Sequence, residues 1–179
     1  MRRGAVFLDR DGTIIEDVGY ISDPEQVQLM RGAPAALRSL AGAGWPLIVV
    51  SNQSGVGRGL ISPEQASSVH ERFVQLLANS QVSLSASYYC FHLPSDNCSC
   101  RKPGTGLLKR ASRDHAVELS MSVVVGDKVS DVEAGVACGC RCFLVGASRS
   151  EGCSDWSVVP GLGSAAELVL GEVPGVVAH

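Results

Sequence analysis

No stretch of the 179-residue chain is long and apolar enough to read as a membrane span. A basic excess is missing too. Fifteen Lys and Arg against 18 Asp and Glu leave a formal charge of −3, with no Lys/Arg stripe to neutralise a nucleic-acid backbone. The apolar run after the two N-terminal arginines stops at Asp9, too early for the core of a signal peptide. Repeats, low-complexity tracts and linkers are lacking as well, so one domain spanning 1–179 is expected. With membrane and nucleic acid set aside as partners, the expectation is a soluble cytoplasmic monomer acting on a small molecule. A domain of this length can bury a sizeable core and needs no disulfide framework. The seven cysteines are an odd number and gather in two patches, which suits reduced thiols, some of them holding a metal.

Short apolar runs alternate with helical patterns. The runs are Ala5 to Leu8, Trp45 to Val50, Ser87 to Tyr89, Val123 to Val125, Cys142 to Val145 and, at the edge, Trp156 to Val159. Helices are predicted over Pro34 to Ala41, Pro63 to about Ala78, Gly106 to about Val117, Val129 to about Ala137, and Ser164 to Leu170. The second has an N-cap serine, Ser62, then Pro63 at the first position and Gln65 as the reciprocal partner. The pattern predicts an α/β fold, a doubly wound parallel sheet flanked by helices. The tail PGVVAH is expected to be loosely held.

Ligands of such sheets bind beyond the carboxyl ends of the strands, and the polar residues of this chain collect there. Asp9 and Asp11, in DRDGT, follow the first run. Two like charges leaving one strand end repel each other and lose hydration, and a hard cation such as Mg²⁺ relieves both penalties. A solvated Asp-Gly turn is the bland alternative. Asp127 and Asp131, in GDKVSD, add carboxylates after the fourth run, although a helix cap explains an aspartate there as well. Ser51 opens SNQSG, whose hydroxyl and glycine-rich turn suit a phosphate oxygen. Lys102, in CRKP, offers a cation, which a phosphoryl group needs more than covalent chemistry.

Cys90, His92, Cys98 and Cys100 place three thiols and one imidazole within eleven residues, a set that suits tetrahedral zinc. Four protein ligands leave no open position, so a structural Zn²⁺ is expected, a clip that aims CRKP at the phosphate. Cys138, Cys140 and Cys142 alternate at a strand entry and are read as buried small residues on one face. His70 and His115 are read as surface or interhelical, and Cys153 has no role.

An aspartate pair, a Ser/Thr, a lysine and an acidic pair, in this order from about Ala5 to Val145, resemble the haloacid-dehalogenase-like phosphatases. The resemblance implies their Rossmann-like fold, with Asp9 as nucleophile and Asp11 as general acid and base. It also implies that Ser51 and Lys102 hold the transferring phosphoryl group. Mg²⁺ would then sit on the carboxylates of Asp9 and Asp127 and the backbone carbonyl of Asp11. The fuller set, with GYI at 19 to 21, NQSGVGRG at 52 to 59 and the zinc-binding loop CFH…CSCRKP, is similar to the capless group of heptose-bisphosphate 7-phosphatases. Those enzymes help to build the heptose of bacterial surface glycans. This implies no separate cap domain and a sugar bisphosphate gripped by loops. Asn52 and Gln53 would assist at the phosphate, and Arg101 and Arg58 would be candidates for the second one. Histidinol-phosphate phosphatase shares the motifs, and a non-catalytic sugar-phosphate-binding domain is the alternative of another class.

Overall fold

The structure is a computed structural model that describes residues 3–146 and 155–171. Cys153 and the PGVVAH tail lie outside the described residues. Among the described residues six strands form one sheet: β1 Val6–Leu8, β2 Leu47–Asn52, β3 Ala86–Cys90, β4 Val123–Gly126, β5 Arg141–Val145 and β6 Ser157–Val159. Their order is β3-β2-β1-β4-β5-β6, and every pairing is parallel. Runs such as VVV in β4 are apolar without alternation because both faces of the sheet are covered.

Successive side chains supply the two faces in turn. Val6, Leu8, Leu47, Val49, Val123 and Val125 join one core, which α1 (Ala33–Gly42), α3 (Pro63–Asn79) and α6 (Leu162–Gly171) close through residues such as Leu37, Phe73 and Ala165. Phe7, Ile48, Val50, Val124 and Leu144 join the other, under α4 (Gly106–His115) and α5 (Val129–Val136). The short α2 (Ser54–Gly57) stands where the sequence suggested only a glycine-rich turn.

Most expected elements are present with shifted ends. Ser51 and Asn52 close β2 rather than following it, and Cys90 closes β3. α4 stops at His115, because Ala116 takes a left-handed conformation with φ 51°. The capping box forms as expected: Gln65 N donates to Ser62 Oγ at 3.2 Å, and Ser62 N donates to Gln65 Oε1 at 2.8 Å. Of the three alternating cysteines only Cys142 lies in a strand, yet Cys138, Cys140 and Cys142 all pack against the α4/α5 core. His70 reaches from α3 to β3, its Nδ1 2.9 Å from the Tyr89 hydroxyl, and His115 meets Tyr88 edge-on.

Strand order reverses between β1 and β4, which leave in opposite directions for the two halves of the sheet. A crevice opens beyond the carboxyl ends at such a switch point. The residues following β1 and β4 are Asp9 and Asp127.

Candidate active site

The strand ladder carries Asp9 into place. Its amide donates to Val125 O at 2.9 Å, one step past the end of β1, so the side chain emerges beside β4. Gly12 explains the turn that follows: it has φ +79°, and a Cβ there would collide with the carboxylate of Asp127. The glycine of DRDGT is therefore what lets the β1 and β4 loops close on each other.

Lys102 arrives from the segment that follows β3, two strands away from β1. Its Nζ lies 2.7 Å from Asp9 Oδ1 and 2.7 Å from Asp131 Oδ1, and donates to Val50 O at 2.6 Å. Burial works against this charge, but Asp9 and then Asp131 outweigh it and hold the ammonium above its ordinary value. The Asn52 amide fixes the backbone of Lys102 from both sides, accepting from Lys102 N and donating to Lys102 O, each at 3.0 Å. Asp131 is both helix cap and ion-pair partner, because its second oxygen accepts from Lys128 N at 2.9 Å.

Ser51 is buried beside this group, and its Oγ accepts from Gln53 Nε2 at 3.1 Å. Gln53 also donates to Asp11 Oδ2 at 2.6 Å. Arg10 grips the same Asp11 carboxylate, through Nη2 at 3.0 Å and Nε at 3.1 Å. Arg58 is exposed at the C-terminal end of α2. Arg101, half-buried, donates to His92 O at 3.3 Å and lines a cavity of about 340 Å³ with Lys102, Asn97 and Cys98.

Among the described residues, two groups have the chemistry of a metal site. The carboxylates of Asp9, Asp127 and Asp131 lie within 4.8 Å of one another. Three carboxylates share this space with the buried ammonium of Lys102, and Lys128, which also pairs with Asp17, offsets Asp127 only in part, so negative charge stays in excess and Asp127 shows the strain. Its buried Oδ1 has no hydrogen-bond partner, and burial, with the like charge of Asp9 next, pushes the carboxyl up to about 6. A divalent oxygen-seeking cation answers both deficits. In the second group, Cys90 Sγ lies 3.7 Å from Cys98 Sγ and 3.3 Å from Cys100 Sγ, and His92 Nδ1 lies 3.2 Å from Cys100 Sγ. Tetrahedral zinc with Zn–S bonds of about 2.3 Å would need S···S edges of about 3.8 Å, so a few tenths of an ångström suffice to admit it. Burial and the neighbouring thiols push Cys90 up to about 12, a cost that metal ligation removes.

Sequence reasoning singled out Asp9, Asp11, Ser51, Asn52, Gln53, Lys102 and Asp127, and the structure gathers them at one sheet edge. It missed Arg10 altogether and left Asp131 without a partner. A charged residue between two aspartates at the end of a buried strand was the available signal for Arg10.

A family model described as HAD-hydrolase-like, for haloacid dehalogenase, matches residues 99–161. The D-glycero-D-manno-heptose-1,7-bisphosphate 7-phosphatase of Thermosynechococcus vestitus is 41% identical over 156 residues, covering 81% of this chain and 80% of the relative. The corresponding D-glycero-beta-D-manno-heptose enzyme of Yersinia pestis is 39% identical over 140 residues, 74% of each. This chain belongs to the HAD-like phosphatase family. A crystal structure of D,D-heptose 1,7-bisphosphate phosphatase from B. bronchiseptica, complexed with magnesium and phosphate, matches with a TM-score of 0.88 and 29% identity over 95% of this chain and 99% of that one. A HAD-like phosphatase of this kind is a phosphoric monoester hydrolase, and no helix among its described residues is long and apolar enough to cross a membrane.

Proposed function

We propose that this HAD-like phosphatase removes the 7-phosphate of D-glycero-D-manno-heptose 1,7-bisphosphate through an aspartyl-phosphate on Asp9. The substrate rests on the names of its relatives, and the observation that carries the chemistry is the Asp9–Lys102 contact beside Asp127 and Asp131. Asp9, Asp127 and the backbone carbonyl of Asp11 would hold Mg²⁺. When bound, the ion supplies positive charge that screens the phosphoryl oxygens from the carboxylates.

An oxygen of Asp9 attacks phosphorus while the bond to the sugar oxygen breaks, and that oxygen takes the proton of Asp11. Lys102 and the Ser51 hydroxyl bind the phosphoryl oxygens and neutralise the charge that develops in transfer. Water then gives a proton back to Asp11 as its oxygen attacks phosphorus. The bond to Asp9 breaks, releasing phosphate and restoring both carboxyls. Asn52 serves by holding Lys102 at its post. Cys90, His92, Cys98 and Cys100 would hold a structural zinc that stiffens the segment leading to Arg101 and Lys102. Arg101, with Arg58 a lesser candidate, would bind the phosphate that is not cleaved.

Phosphate release across a panel of esters tests this reading. The heptose 1,7-bisphosphate should be turned over with the highest kcat/KM, ahead of histidinol phosphate and simple sugar monophosphates. A preference for histidinol phosphate would overturn the substrate but not the chemistry. Arg101→Ala should lower kcat/KM for the bisphosphate by about ten- to a hundredfold and much less for a monophosphate, since a charge-assisted contact contributes about 1.5–3 kcal/mol.

A further inference from the structure

Asp11 is held more tightly than a side chain in a turn needs to be. Arg10 approaches its carboxylate with a two-point fork, and Gln53 adds a third donor at 2.6 Å. Gln53 also closes the circuit by accepting from Arg10 Nη2 at 2.9 Å, while its own backbone is pinned by a 2.7 Å bond to Cys90 O. The guanidinium lies 5.7 Å over the ring of Tyr89, and Arg10 is only 4% exposed. Behind it opens a cavity of about 320 Å³ walled largely by apolar groups, among them Ile21, Val56, Ile61 and Phe91.

A buried ion pair against an apolar wall is a poor source of stability. Taking both charges from water costs several kcal/mol, and apolar residues of the same shape serve a fold as well or better. What the fork supplies is direction, because a bidentate guanidinium fixes the plane of a carboxylate as well as its position. Without it, Asp11 would keep only the Gln53 bond, which leaves the plane of its carboxylate unfixed.

We propose that Arg10 and Gln53 are positioning residues that fix the orientation from which Asp11 moves protons, and that the hydrolysis of the Asp9 phosphate depends on them most. This rests on Asp11 being the acid and base of the proposed reaction. In the hydrolytic step one water must lose a proton to Asp11 at the moment its oxygen attacks phosphorus, so a tilted carboxylate leaves that step without its base. A misplacement of about 1 Å can cost about 10²-fold.

The test uses p-nitrophenyl phosphate, whose leaving group departs without a proton. Arg10→Lys keeps the cation but loses the fork, and Gln53→Met keeps the ion pair but loses the third donor, together with the bonds that Gln53 makes to Arg10 and Ser51. Both should melt close to the wild type and keep kcat/KM for this ester within a few-fold, while kcat falls by about ten- to a hundredfold. Rapid mixing should then show a burst of about one nitrophenolate per enzyme, with phosphorylated protein accumulating. For an alkyl ester that the wild type accepts, kcat/KM should fall as well, because its first step needs the proton. Asp11→Asn is the control. If it gives no burst, Asp11 is not the base, and the proposal fails with that reading. If it gives the burst and the Arg10 and Gln53 variants do not, the fork is structural and the proposal alone is wrong. A parallel loss of kcat and kcat/KM on the nitrophenyl ester would place Arg10 at the phosphate instead.

Discussion

At the scale of single residues, the site is governed by how many charges share a small volume. Lys102 carries two ion pairs at 2.7 Å in a buried position, and it stands between Asp9 and Asp131. Asp9 and Asp11 are separated by one residue yet have different company: Asp9 faces the ammonium, Asp11 the Arg10 fork. Different environments for two neighbouring carboxylates are the usual basis for dividing nucleophile from acid and base. Asp9→Asn should abolish phosphate release while the protein stays folded by circular dichroism, because an amide cannot form the acyl-phosphate. Asp11→Asn should lower turnover of an alkyl ester by about 10²–10⁴-fold and leave metal binding nearly intact, since only the backbone carbonyl is proposed as a ligand. Appreciable turnover by Asp9→Asn would mean that water attacks directly.

Elements matter here through their ends. The N-cap of α3 is satisfied at both donors, so Ser62→Ala should lower stability by about 1 kcal/mol and Tm by about 2–4 °C, with kcat/KM unchanged. The loop from Cys90 to Cys100 has a different effect, because it begins at the last residue of β3 and runs into Arg101 and Lys102. Protein purified without added metal should contain about one zinc per chain by elemental analysis, as expected of a closed site with four protein ligands. Cys100→Ser should lower both zinc content and kcat, the latter by loosening the segment that delivers Lys102. A zinc-free protein with unchanged melting and activity would remove the clip from the proposal.

The whole molecule is tied together at the sheet edge. Asp9 comes from β1, Lys102 from beyond β3, and Asp127 and Asp131 from beyond β4, so a ligand bound there spans elements that must separate on unfolding. Magnesium at a hundred times its Kd should therefore add about 2.7 kcal/mol of stability, seen as a higher Tm. That gain should depend on pH in a definite direction. The folded protein raises Asp127 from 3.8 to about 6, so it favours the protonated form. The contribution of Asp127 to stability is full below pH 3.8 and is lost as pH rises through 6. Magnesium competes with that proton, so the magnesium-induced gain in Tm should be larger at pH 8 than at pH 5. A gain that is equal at both values would show that Asp127 does not bind the ion.

The alternation of strands and helices, the Ser62 capping box, the aspartates at strand ends and the Cys–His cluster are decided by neighbours within a few residues, and all were legible in the sequence. Backbone preference and side-chain periodicity act over that range. The partners of those residues were not legible. Asn52 holds Lys102 across a separation of 50 residues, and Lys102 meets Asp9 across 93. Both contacts exist because the sheet places β2 between β3 and β1, so the segment that follows β3 meets the ends of both neighbours. The Arg10 fork on Asp11 joins adjacent residues, yet it too awaited the fold. Nothing local turns the two side chains onto each other until Gln53 arrives from the end of β2 and Tyr89 lies beneath the guanidinium. Local sequence thus determined which chemical groups reach the sheet edge, while the order of the strands decided which of them meet. A buried charge takes the partner that the chain packs against it, and that packing is set by the whole sheet.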